Sequence, residues 1–399
     1  MCKVIMIGCD LHDQAMLLKV AIGREEPETR LVKNTAAGRK AMIAHLRQRA
    51  HSLGGARIVF VYEASGQGFG LHDELTRAGI ECYMLAPTKI AHSQRQRSQK
   101  TDEKDALELL QLLRAHILAG NPLPTVWIPD LQTRDDRELV RMRLDVGAKI
   151  TLLKAQVQSL LKRHQLRRPP GTGKRWTKSF WAWLRVLSGS PGPGERRLDL
   201  GARAALASLL RQLEFLEAEE VRLDLQLASL ASAPRYAAAI QELAKLVGVG
   251  ALTALVFLTE VGDLRRFANR RQIAAYLGLV PASHESGEAR DRKGHITRQG
   301  PSRVRKVLCQ ATWSRVRNDA AEKAVYERVK AKNPKHKKIA VVASMRRLAV
   351  RMWHRGLAAG LAGWPNAPQT PPEGGGPKKT KPRSRCGCAA GFSEAWQGK

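Results

Sequence analysis

Acidic residues are scarce in this chain. Its 399 residues carry 36 Asp and Glu against 68 Lys and Arg, a formal charge of +32. The excess is not a tail effect, because residues 361–399 contribute only +4 of it. A balance of this size points to a polyanionic partner, most simply nucleic acid. Long apolar runs are missing too. No stretch approaches the roughly eighteen residues of a membrane span, and the strand-like run Val4–Ile7 meets Asp10 too soon to be a signal peptide. A membrane partner is therefore not expected. Cysteine pairs are absent: Cys2, Cys9, Cys82 and Cys309 are isolated, and Cys386-Gly-Cys388 has no second pair nearby. That excludes a disulfide framework or a structural zinc and fits a reducing cytoplasm.

The N-terminal part alternates strands and helices. Lys3–Cys9, Ala15–Ile22, Arg57–Tyr62 and Glu81–Leu85 read as strands, while Gly38–Leu53 and Gly70–Gly79 read as helices. This predicts an α/β domain with a mixed or mostly parallel sheet. Arg134–His164 is helical throughout. A later stripe, Leu206, Leu209, Leu213, Leu216, Glu220, Leu223, Leu227 and Leu230, steps by three and four, which predicts a helical pair or a coiled-coil dimer seam. Beyond Ile240 come a glycine turn, Leu246-Val-Gly-Val-Gly250, a buried helix Ala251–Val261, and a polar, basic stretch over Ala282–Pro301. Basic amphipathic helices follow at Ser302–Arg317 and Lys338–Trp353, and the Pro/Gly/Lys-rich end is expected to be disordered.

Against this basic background the placed acids stand out. Asp10 follows the first strand and Glu63 ends the third, at the carboxyl ends where open α/β sheets carry their sites. Asp102 and Asp105 are three residues apart at the start of an apolar helical pattern, so they share a face. Four carboxylates on three element ends suit hard divalent cations such as Mg²⁺, which can clamp both oxygens of a phosphoryl displacement. Helix capping by Thr101 or Asp102, with Asp105 complementing the helix dipole, is the alternative reading of that stretch.

The motifs Ile7-Gly-Cys-Asp10, Tyr62-Glu-Ala-Ser-Gly66 and Lys100-Thr-Asp-Glu-Lys-Asp-Ala106 resemble the three acidic motifs of the DEDD insertion-sequence transposases. Leu246–Leu279 and Ser283–Arg305 resemble that family's C-terminal transposase domain, and Lys338–Arg347 its closing helix. The resemblance covers roughly residues 1–358, with the motifs in family order. It implies an RNase H-like, RuvC-like domain over 1–125 and a helical, coiled-coil dimerisation segment over 126–239. A small all-α transposase domain over 240–358 and a tail over 359–399 complete the division. It also implies Mg²⁺ as cofactor and DNA and a structured guide RNA as partners. Assembly as a dimer or tetramer, a bacterial cytoplasmic setting and a serine nucleophile in the C-terminal domain follow from the same likeness. His12-Asp13 stands where the family has a small residue and Lys, and Val247 where it has Pro.

Ser283 and Ser286 are the serine candidates, with Ser302 an outsider. The resemblance places the nucleophile at Ser286, before Gly287, with a covalent 5′-phosphoserine link to DNA. Arg290, Arg292, Lys293, Arg298, Arg303 and Arg305 form a basic cluster suited to a phosphate. Gly248 and Gly250 are candidates for backbone contact with DNA, or for simple close packing of two helices. A metal-dependent junction nuclease that needs no serine, and a non-catalytic nucleic-acid-binding protein, are the competing functional readings.

Overall fold

The computed structural model describes residues 3–90, 101–170, 175–189, 198–283, 293–332 and 334–360, the side chains of Ser283 and Lys293 apart. The chain forms two compact units that divide after Ile128.

The first unit is a mixed sheet with helices on both faces. Its elements are β1 (Val4–Leu11), β2 (Ala15–Ile22), β3 (Glu28–Lys33), α1 (Ala36–Ser52), β4 (Arg57–Glu63), α2 (Gly70–Arg77), β5 (Glu81–Leu85) and α3 (Asp102–Ala119). The strand order is β3-β2-β1-β4-β5. β2 pairs antiparallel with both β1 and β3, whereas β1, β4 and β5 run parallel. This arrangement is consistent with the RNase H-like fold implied by the resemblance. Side chains alternate between the two faces. Ile5, Ile7, Cys9, Ile58, Phe60 and Tyr62 pack with Met42 and Leu46 of α1 and with Leu71 and Leu75 of α2. Met6, Val59, Val61 and Leu85 pack with Leu109, Leu110 and Leu113 of α3.

β3 was not anticipated. Its sequence, Glu-Thr-Arg-Leu-Val-Lys, alternates half-buried and exposed positions at the sheet edge, and Leu31 is 75% exposed. An edge strand needs no apolar run, so its pattern resembles a polar loop.

The second unit is helical: α4 (Leu131–Arg163), α5 (Lys178–Ser188), α6 (Leu200–Ser232), α7 (Ala237–Ala244), α8 (Ala251–Val261), α9 (Arg270–Tyr276), α10 (Ser302–Asn318), α11 (Ala320–Lys332) and α12 (Lys337–Ala358). A short antiparallel pair, β6 (Pro281–Ser283) and β7 (Lys293–Ile296), interrupts it within the stretch read as a polar loop. α8 is the hydrophobic centre: Ala254 through Val261 are all buried, and residues of α10 and α12 pack around it.

The leucine stripe of α6 is filled within the chain. Leu206 and Leu210 pack with Val157 and Leu160 of α4 and Phe180 and Leu184 of α5. Leu213 and Leu223 pack with Val146, Ile150 and Leu153 of α4, and Leu227 joins the core around α8. Rising numbers on one helix meet falling numbers on the other, so α4 and α6 form an antiparallel pair. The helical pair is present, but its buried leucines face α4 rather than a second protomer. Arginines bolt this hairpin to α8. Buried Arg137 donates from Nε to the Thr259 carbonyl (2.6 Å) and from Nη2 to that of Glu260 (3.1 Å), carbonyls near the helix end. Arg141 grips the Glu260 carboxylate with two hydrogen bonds of 2.7 and 2.9 Å. The stretches 129–239 and 240–358 thus share one core.

Candidate metal centre

Asp10 and Glu63 come to neighbouring strand ends through the register of the sheet. β1 and β4 pair in parallel up to Cys9 opposite Tyr62, and the two acids are the next residues along. Cys9 and Tyr62 point into the core shared with α1, so Asp10 and Glu63 belong to the opposite face, the one α3 covers.

Gly8 lets α3 come close on that face. A Cβ at Gly8 would stand 2.3 Å from the Ala106 carbonyl oxygen and 2.5 Å from the Leu110 nitrogen, so only glycine allows this approach. The helix therefore starts over the end of β1. Thr101 is its N-cap, its hydroxyl accepting from the Lys104 N–H at 3.4 Å, and Asp102, Glu103 and Asp105 fill the first turn. Since Thr101 does the capping, the Asp102 carboxylate is left for other work.

The tightest cluster joins Asp10, Asp102 and His12, which the motif comparison marks only as a departure from the family. His12 Nε2 lies 3.0 Å from Asp10 Oδ2 and 3.4 Å from Asp102 Oδ1. These three ligand atoms all lie within 4.8 Å of one another, and no other metal-capable group of three occurs among the described residues. Glu63 and Asp105 stand on the same face without entering that group. The available signal for His12 was the strand spacing Asp10-x-His12, which returns the imidazole to the side of the carboxylate.

Electrostatics tie the acids together. Burial pushes the Asp10 carboxyl up from its ordinary range, and the charges of Asp102 and Asp105 push the same way, while His12 opposes them. His12 is raised chiefly by the Asp10 carboxylate, against a smaller effect of burial. Each carboxylate near Asp10 makes its ionised form costlier, which a cation among them reverses. Two carboxylates and an imidazole at this spacing fit a divalent cation in ligand type and reach.

A polar network holds the rim of this site. Asn34 Nδ2 donates to the His12 carbonyl (2.8 Å) and to Gln67 Oε1 (3.0 Å), and Gln67 Nε2 donates to Asp13 (3.1 Å). Arg39 donates to Asn34 Oδ1 at 2.8 Å and grips Glu74 at 2.6 and 2.9 Å. The turn after β1 and the turn after β4 are thereby tied to one another, and so are the backbones that carry Asp10 and Glu63.

The remaining candidates lie in the second unit. Gly248 has φ +85°, and a Cβ there would stand 2.5 Å from the Ala311 carbonyl, so close packing on α10 accounts for it. Gly250 precedes α8 with open space around it. Arg305 Nη1 donates to the carbonyls of Leu277, Gln299 and Gly300 at 3.3, 2.7 and 3.1 Å, so it holds the chain before α10. Arg303 Nη2 contacts Asp145 at 3.2 Å, and Arg298 has a left-handed backbone with φ 55°. Ser283 pairs with Lys293 across β6 and β7. Ser286, Arg290 and Arg292 lie outside the described residues.

Comparison with known proteins matches two stretches of the chain. A DEDD transposase model of the IS110 type matches residues 7–165, and a model described as transposase IS116/IS110/IS902 family matches residues 240–327. Both matches make the chain similar to the IS110/IS116 transposases. These are enzymes that cut and rejoin DNA. The protein y4qE of Sinorhizobium fredii, a transposase by name, is 34% identical over 260 residues, 64% of this chain and 58% of its own length. The chain thus spans less than two thirds of that relative. The transposase for insertion sequence element IS1533 of Leptospira borgpetersenii is 25% identical over 316 residues, 78% of this chain and 85% of its own. The transposase for IS1111A of Coxiella burnetii is 25% identical over 270 residues, 67% and 69% of the two chains. The likeness to DEDD transposases implies a divalent metal ion. No helix among the described residues is long and apolar enough to cross a membrane.

Proposed function

We propose that this chain is the transposase of a bacterial insertion sequence and that it cuts and exchanges DNA strands guided by a structured RNA from the element itself. The observation that carries the reading is the convergence of Asp10 and Asp102 at the end of β1, inside the span matched by the DEDD transposase model. Asp10, Glu63, Asp102 and Asp105 would hold Mg²⁺, with His12 within reach. Magnesium, when bound, supplies charge neutralisation and polarises the scissile phosphate.

In this reading Ser286 is the nucleophile. Its hydroxyl gives up a proton as Oγ attacks phosphorus, the Oγ–P bond forms, and the P–O3′ bond breaks. The 3′ oxygen leaves as a hydroxyl once protonated, and the 5′ end stays on the serine as a phosphodiester. Attack by another strand's 3′ hydroxyl reverses these bonds, so exchange needs no external energy source. Arg290, Arg292, Lys293, Arg298 and Arg303 would offset charge on the phosphate. Gly250 stands in open space where backbone could meet DNA. Pairing of protomers would bring a serine to the acids of a second chain. Since the α6 stripe is filled, pairing would use other faces, and Phe215, Val221 and Leu225 are exposed on α6.

The test is a denaturing gel of the full chain incubated with labelled target DNA, guide RNA and Mg²⁺. A slow, protease-sensitive adduct should form with the parent and vanish with Ser286→Ala, while Asp102→Asn should remove both adduct and strand transfer. Cleavage by the parent without any adduct would instead establish metal-dependent hydrolysis, a reading that rests on the same acids.

A further inference from the structure

We propose that the second unit carries a separate phosphate-binding cavity, built on Arg315, that seats a backbone phosphate of the nucleic acid. This rests on the nucleic-acid reading above but uses none of its acids or serines. A cavity of about 410 Å³ opens beside the turn before α8, lined by Lys245, Arg315, Arg351 and Arg355 with His354. Asp319 is its one carboxylate, so four fixed cations face one acid.

Arg315 makes the cavity more than a basic surface. The residue is only 7% exposed, yet its Nε and Nη1 find no acceptor in the protein. Only Nη2 is engaged, 3.2 Å from Asp319 and 3.5 Å from Glu322. A buried guanidinium with idle N–H groups loses hydration without replacement, a cost that an anion with several acceptor oxygens removes. The acids nearby are already committed. Buried Glu322 also takes Arg351 at 2.6 Å and Arg347 at 3.4 Å, and Glu242 takes Lys245 and, at 3.7 Å, Arg355. The guanidiniums outnumber the carboxylates that hold them in place, leaving positive charge for a ligand.

The packing fixes this geometry. Gly248 presses its backbone against α10 at Ala311, Ser314 and Arg315, so the turn that supplies Lys245 and Val247 is clamped to the helix that supplies Arg315. Val247 is 41% exposed at the same turn. A phosphodiester carries a negative charge and two unesterified oxygens, so one oxygen can accept from an idle guanidinium N–H while the other meets a rim cation.

The test measures affinity of the full chain for a short duplex DNA, and in parallel for a hairpin RNA, across a salt series. Arg315→Lys keeps the charge and removes the idle guanidinium N–H groups; it should weaken one polymer about tenfold. Lys245→Gln with Arg355→Gln, at the rim, should lower the slope of log K against log salt by about one per phosphate lost. The polymer that shows the effect is the one whose phosphate is seated. Parental affinity and slope in both variants, with both polymers, would overturn the inference. A parent that binds neither polymer would overturn the broader reading as well. If Arg315→Lys fails to fold, the rim variant decides, because among the described residues those side chains pair only with Glu242 at the surface.

Discussion

The two units handle charge in opposite ways. In the first, carboxylates are brought together against their own repulsion: Asp10 and Asp102 meet at one strand end with His12 between them, and the charge of Asp105 adds to the cost of ionising Asp10. In the second, arginines are spent on the fold: Arg137, Arg141 and Arg305 bind carbonyls or carboxylates across elements. Repulsion tolerated at one place marks a site for an outside ligand, whereas satisfied pairs mark structure. The lesson is that a net charge of +32 does not identify its own working residues. The scarce sign does, because acids gathered against their mutual repulsion are an exception that the fold must support.

The largest expected effect breaks the first half of this comparison. Asp10→Asn should reduce strand transfer to background and remove divalent-metal binding in calorimetry, while the thermal midpoint stays or rises. It should not fall, since burial and acid neighbours already disfavour the Asp10 charge. Retained activity would sink the metal-centre assignment.

The second concerns the α4–α6 pair. Leu213→Ala and Leu223→Ala should each destabilise the helical unit by about 2–5 kcal/mol, since both leucines are buried against α4. Sedimentation of variants that remain folded should show the parental mass. A smaller mass would mean that these leucines also pair protomers. The periodicity of α6 was legible in the sequence, but an apolar stripe carries no record of which chain covers it. Similar limits apply elsewhere. β1, β2, β4 and β5 announced themselves through apolar runs, whereas β3 sits at an edge and has none. Asp10, Glu63, Asp102 and Asp105 could be named from strand and helix ends. The role of His12 could not, because it depends on how closely α3 approaches β1, and that closeness depends on Gly8.

Gly8→Ala tests the approach itself. The added methyl meets backbone on α3, which has no rotamer with which to yield, so the cost should be about 1–3 kcal/mol. Unlike a surface change of equal cost, it should also weaken metal binding, because displacing α3 carries Asp102 away from Asp10. Calorimetric affinity equal to the parent's would show that the sheet and α3 adjust without moving the acids.

The smallest effect separates capping from ligation at a single turn. Thr101 accepts from the Lys104 N–H, so Thr101→Ala should cost about 1 kcal/mol in thermal unfolding. Its effect on metal affinity should be slight, because the helix start frays without losing a ligand. Asp102→Asn should behave in reverse. Asparagine keeps the size and polarity of the side chain, and Glu103 and Asp105 still place negative charge at the positive end of the helix dipole. The melting temperature should therefore change little while metal binding is lost. Measuring both quantities on both variants gives crossed outcomes if Asp102 is a ligand. If instead Asp102→Asn lowers stability as much as Thr101→Ala and leaves metal affinity intact, the aspartate serves the helix start, and the cation must be held by Asp10 with other partners.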